Sequence, residues 1–115
     1  MKKGRQTTDY LNDILYAISK LDEFIEGLTY EQFIEDEKTQ FAVIRAIEVI
    51  GEATKNIPDS IKTNHTSVPW RNISGMRDKL IHAYFGIDMD ILWKTVTKEV
   101  TVIEPKIRQM LEELK

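Results

Sequence analysis

The chain has 115 residues, 42% of them hydrophobic and 30% charged, with a formal net charge of -3 and no cysteine. That is enough chain for one domain, residues 1–115, with a core of its own, and the missing cysteines exclude a disulfide framework or a thiolate metal site. The acidic balance argues against a protein that coats nucleic acid through its overall charge, while leaving room for a basic cleft on an acidic molecule.

The basic start, Met1-Lys2-Lys3-Gly4-Arg5, is followed by no apolar stretch of the signal-peptide kind and reads as a solvated tail. No segment has the length of a membrane span. A cytoplasmic protein without membrane partners is the expectation. Leu11, Ile14, Leu15, Ile18, Leu21 and Ile25 form an i, i+3, i+4 stripe. The spacing predicts a helix entered from Thr7 or Thr8 and ended by Gly27. Thr29-Tyr30-Glu31-Gln32 fits a capping box and opens a second helical stretch. Phe41 to Ala53 is apolar on most sides, which suits the central helix of a bundle, and Pro58-Asp59-Ser60 ends it.

Thr63 to Val68 reads as polar loop. Pro69 then suits the first turn of a helix from about Trp70 to Phe85, closed by Gly86, and Asp88 can cap the next. The last helix carries Ile91, Leu92, Val96, Val100, Ile103, Ile107, Met110, Leu111 and Leu114. Pro105 inside it is expected to kink or break it near Thr101, whose carbonyl loses its partner. No segment shows convincing period-2 alternation. The fold class expected is all-α, an up-and-down bundle of four to five helices.

The most informative run is Gly75-Met76-Arg77-Asp78-Lys79-Leu80-Ile81-His82-Ala83-Tyr84. It sets a guanidinium, a carboxylate, an imidazole and a phenol where the pattern asks for core. Arginine holds phosphate and histidine moves protons near neutral pH, so the run points to phosphate chemistry. On one continuous helix, Trp70, Ile73, Leu80, Ile81 and Tyr84 fall within roughly 60° of Arg77. Arg77 would then project from an apolar stripe and need a partner, either a carboxylate such as Glu48 or Glu52 or a bound phosphate.

His82 would lie about 140° from Arg77 and one turn beyond Asp78, whose carboxylate could orient the ring. A straight helix does not aim Arg77 and His82 at one point. Either Arg77 bends round on its long stem, or two copies meet across a two-fold axis. Tyr84 is equally a core residue, a stacking platform for a base or a modifiable hydroxyl.

Glu48 and Glu52 form an i, i+4 carboxylate pair that suggests a metal site or an acid–base pair. Yet His65 and His82 lack metal-ligand spacing, and there is no phosphate-binding glycine loop. No metal and no cofactor are expected. Arg45, Arg71 and Lys79 would supply a basic rim.

Arg77-x-x-x-x-His82-x-Tyr84 resembles the signature of the HepT-like ribonuclease toxins of the HEPN superfamily. Ile50-Gly51-Glu52-Ala53, the run Pro69 to Arg77, Tyr84-Phe85-Gly86-Ile87-Asp88 and Trp93 resemble further blocks of that family, together spanning about Tyr10 to Ile107. The resemblance implies a HEPN fold and a homodimer with Arg77 and His82 in an interfacial cleft. It also implies metal-independent RNA endonuclease activity on tRNA or mRNA. Asp78 matches the polar residue that follows the family's arginine. It further implies a toxin–antitoxin pair whose partner, a minimal nucleotidyltransferase of the MntA type, silences the toxin by attaching AMP to Tyr84. A catalytically silent HEPN module that binds a nucleotidyltransferase is the alternative, and a plain helical interaction domain with Arg77 in a salt bridge the third reading.

Overall fold

The structure, a computed structural model, describes residues 4–82 and 86–115, and at residues 77, 80–82, 86 and 87 it describes the backbone alone. Helix α1 spans Thr7–Ile25. The Gln6 amide donates to Asp9 Oδ2 at 2.7 Å, satisfying a donor at its entry. Leu11, Ile14, Ala17, Ile18 and Leu21 are its buried face, as the stripe requires. Gly27 leaves the helix with φ +77°, a backbone that side chains other than glycine's resist. Arg5 is no solvated tail residue. It pairs with Asp13 and its guanidinium lies 4.6 Å from the centre of the Tyr10 ring.

Helix α2, Tyr30–Ile34, is short. Its capping box forms: Thr29 Oγ1 accepts from the Gln32 amide at 3.1 Å, and Gln32 Oε1 from the Thr29 amide at 3.0 Å. Helix α3, Glu37–Lys55, is capped by Asp36, which accepts from the Thr39 amide and hydroxyl at 3.0 and 2.6 Å. Those two bonds, the hydroxyl's first, hold the Asp36 carboxyl below the usual carboxylate range. Val43, Ala46, Ile47, Ile50 and Ala53 face the core, but Phe41 is 74% exposed. The central helix thus keeps one open face, against the expectation from its composition. Helix α3 lies along α1, which also packs against the C-terminal helix described below.

Helix α4, Asp59–Thr63, leads to the 64–69 loop. The single helix expected from Trp70 to Phe85 is divided. Helix α5 is Trp70–Ser74, and after Gly75 the chain re-enters as α6, Met76–Leu80. Gly75 donates to the Arg71 carbonyl at 3.0 Å, and a Cβ there would stand 3.2 Å from that oxygen. Beyond Leu80 the chain becomes extended: β1, Ile81–His82, pairs antiparallel with β2, Gly86–Ile87, in the register Ile81↔Ile87 and His82↔Gly86. A β-branched residue ahead of an aromatic pair and a glycine is a weak helical sequence. A two-residue strand is also too short to register as alternation. Tyr84 and Phe85 lie outside the described residues.

Asp88 caps α7, Met89–Lys94, by accepting from the Ile91 amide at 3.1 Å. A π-helical turn, Thr95–Glu99, joins α7 to α8, Val100–Leu114. Pro105 sits inside α8 without breaking it. The irregularity lies one turn earlier, where the Val100 amide reaches back to the Thr95 carbonyl. Thr101, whose carbonyl proline cannot serve, is exposed, so water can satisfy it. Fully buried Phe33 stacks on Trp93 at 5.0 Å, and the Tyr30 hydroxyl bonds to Asp90. These contacts fasten α2 to α7. The result is an all-α bundle around Leu11, Ile14, Ile18, Ile47, Ile50, Ile103 and Ile107.

Candidate functional site

Helix α6 carries Arg77 and Asp78. The buried side chains of Ile73 and Met76 root α5 and α6 in the core, so the next residue, Arg77, leaves a fixed point of backbone. Gly51 of α3 sits at the contact with α5. A Cβ there would be 3.5 Å from the Ser74 carbonyl oxygen and 3.9 Å from that of Ile73, so α3 and α5 approach closely. Gly51 in the Ile-Gly-Glu-Ala block therefore lies in the α3–α5 contact, with ordinary van der Waals room for a methyl group.

Between α1, the open face of α3 and the α5–α6 pair runs a groove of about 550 Å³. Tyr10 and Asp13 line it from α1, Arg45, Glu48, Glu52 and Lys55 from α3, and Ser74 and Asp78 from the other wall. Arg45 stands 3.7 Å from Glu48, and Asp13 is engaged by Arg5. Of the basic rim expected from Arg45, Arg71 and Lys79, Arg45 lines the groove, while Arg71 and Lys79 are exposed without lining it. Among the described residues that line it, four carboxylates stand against two cations.

Asp78 belongs to the groove wall. His82 lies in β1, so Asp78 and His82 do not share a helix turn, and the i, i+4 spacing no longer relates them. Arg77 and His82 likewise share no helix. A helical wheel does not set their separation, and the two-fold cleft deduced from that separation loses its geometric basis. Whether Arg77 reaches Glu48 or Glu52, and everything about Tyr84, lies outside the described residues. Glu48 and Glu52 do line one groove, but no group of three or more metal-ligating side chains occurs among the described residues.

Two features had no counterpart in the sequence pattern. Asp13 and Tyr10 join the groove only because α1 lies along α3, a pairing that no local spacing announces. His65 is not an idle loop residue either: its ring bonds to the Ile61 carbonyl at 3.0 Å and to Glu113 at 3.1 Å, 48 residues away. No helix among the described residues is long and apolar enough to cross a membrane.

The family model described as ribonuclease HepT-like matches residues 14–110. A probable ribonuclease HepT of Thermococcus cleftensis is 51% identical over 106 residues, covering 92% of this chain and 96% of its own. A putative RNase of Caldanaerobacter subterraneus subsp. tengcongensis is 42% identical over 106 residues, 92% of this chain and 95% of that one. A Methanocaldococcus jannaschii protein named gamma-glutamylcyclotransferase and putative RNase is 39% identical over 105 residues, 91% of this chain but 47% of its own length. No solved structure matches significantly.

Proposed function

The chain belongs to the ribonuclease HepT-like family, and from that premise we propose that it is a metal-independent RNA endonuclease with Arg77, Asp78 and His82 as its working groups. The observation that carries this reading is the family match across residues 14–110, which contains the whole Arg77–Tyr84 run. The rooting of α6 by Ile73 and Met76 supports it, because a phosphate-binding arginine gains from a rigid base.

RNA supplies its own nucleophile. The 2′-hydroxyl oxygen forms a bond to the adjacent phosphorus and the P–O5′ bond breaks, leaving a 2′,3′-cyclic phosphate and a 5′-hydroxyl. His82 takes the 2′ proton or gives one to the departing O5′. Arg77 holds the charge that grows on the phosphoryl oxygens at the pentacovalent stage. Asp78 orients the His82 ring, acting across the end of α6 now that the two share no helix.

The active form is a homodimer, with both copies of Arg77 and His82 in one cleft. The protein is the toxin of a toxin–antitoxin pair in the cytoplasm. A minimal nucleotidyltransferase silences it by moving AMP from ATP onto the Tyr84 hydroxyl, with pyrophosphate leaving. The added negative charge and bulk would then repel RNA phosphate from the cleft.

A second reading is a HEPN module that binds a partner protein and cuts nothing; the net charge of -3 favours it, since it weakens the overall attraction for a polyanion. One experiment decides between the two. Purified protein is incubated with tRNA and with mRNA, in Mg²⁺ and in EDTA, beside Arg77→Ala and His82→Ala. Cleavage should persist in EDTA and fall by about 10²–10⁴ in His82→Ala, with the helical circular dichroism intact. His82→Ala protein that cuts as well as the parent would sink the catalytic assignment. No cleavage by the parent protein under any condition would leave the binding module.

A further inference from the structure

We infer that His65 is a protonation latch: as an imidazolium it clasps the 64–69 loop to α8, and on losing its proton it gives up one of its two ring contacts and loosens that loop and the seat of Trp70 at the entry to α5. This stands apart from the ribonuclease reading and holds whether or not the chain cuts RNA.

The geometry around the ring requires the charge. His65 Nδ1 lies 3.0 Å from the Ile61 carbonyl oxygen, and Nε2 lies 3.1 Å from Glu113 Oε1. A backbone carbonyl and an ionised carboxylate only accept, so both ring nitrogens must donate. A neutral imidazole carries one N–H; only the cation carries two. On deprotonation, one of the two contacts becomes lone pair against lone pair, and the ring must let go of Ile61 or of α8. The Glu113 carboxylate is itself held, its other oxygen accepting from Gln109 Nε2 at 3.2 Å.

What the ring secures is the start of the segment that leads to Arg77. The His65 carbonyl accepts from the Val68 amide at 3.2 Å and from the Trp70 indole at 3.0 Å, an N–H that it shares with the Lys62 carbonyl at 3.2 Å. Trp70 is the first residue of α5, and Val68 is buried. The loop has a second tie to α8, from Lys106 Nζ to the Ser67 carbonyl at 2.7 Å. The charged groups facing His65 are therefore Glu113 and Lys106 from α8, with Lys62 of α4 near the Trp70 ring at 5.9 Å. The Ile61 carbonyl first, and then Glu113, raise the imidazole above its ordinary range. Release thus falls on the alkaline side of the ordinary imidazole range.

The test follows the ring and the indole by ¹⁵N NMR on the full chain, with Glu113→Gln and His65→Gln beside it. In the parent protein, both ring nitrogens should be protonated at pH 6, with a midpoint above about 6.5. The midpoint should fall in Glu113→Gln. Solvent exchange of the Trp70 indole N–H, measured against Trp93 in the same molecule, should accelerate across the titration, and His65→Gln should lack that step. A parent midpoint at or below 6.5, or Trp70 exchange that ignores the titration, overturns the latch. So does an unchanged midpoint in Glu113→Gln. Should either variant fail to fold, the parent titration decides alone.

Discussion

Replacing Gly51 by alanine should stabilise the protein, although the residue is buried where α3 meets α5. Two terms set the sign. Glycine in a helix interior costs about 1 kcal/mol relative to alanine, because the unfolded chain has more freedom to lose. Against this stands any crowding by the new methyl group. Its nearest neighbours would be the Ser74 carbonyl at 3.5 Å and the Ile73 carbonyl at 3.9 Å, ordinary van der Waals distances. Crowding therefore adds little, and the net gain is about 1 kcal/mol, or about 4 °C in Tm for a chain of this size. Valine inverts the sign. Its γ-carbons reach roughly 1.5 Å further toward the same carbonyls, and overpacking of that kind costs about 1–3 kcal/mol. Thermal and urea unfolding followed by helical circular dichroism measure both variants. RNA cleavage should survive in Gly51→Ala and fall in Gly51→Val, since α5 sets the position of α6 and Arg77. A Gly51→Ala protein less stable than its parent would show that α3 and α5 pack more tightly than described, and would refute the reasoning.

Phe33→Ala should cost about 3–5 kcal/mol, because the ring is fully buried and stacks on Trp93 at 5.0 Å. A loss under about 1.5 kcal/mol in urea unfolding would contradict the role given to it in fastening α2 to α7. Asp36→Asn keeps a capping oxygen but removes a titration. The Asp36 carboxyl is lowered by the Thr39 hydroxyl and amide, so its contribution is present above the ordinary value of 3.8 and lost as pH falls through the lowered one. The parent's Tm advantage over Asp36→Asn should therefore hold at pH 6 and vanish toward pH 2; an advantage that grows on acidification would reverse the assignment.

The candidate run was legible because it violates its surroundings. Arg77, Asp78 and His82 stand in a run whose neighbours Ile73, Met76 and Leu80 ask for core, and the flanking blocks tied that anomaly to a family. What could not be read was how the run bends. Helical spacing carried Trp70 to Phe85 through Gly75 as one element. Instead Gly75 closes α5 on the Arg71 carbonyl, and the pairing of Ile81 with Ile87 takes the chain out of the helix before His82. A pairing only two residues long sets weak helix propensity against a short ladder, and neither side leaves a periodic trace.

Local chemistry written within four residues survives into the fold. The stripe of α1, the Thr29–Gln32 box and the Asp88 cap depend on neighbours along one helix, so residue identity and spacing determined them. The family, too, was carried by short blocks in order. Only the tertiary structure decided that Phe41 stays outside, that Asp13 and Asp78 share a groove, and that His65 finds Glu113. Those outcomes hang on which helix faces which. Packing of whole faces settles that choice, and no single window of sequence contains both faces.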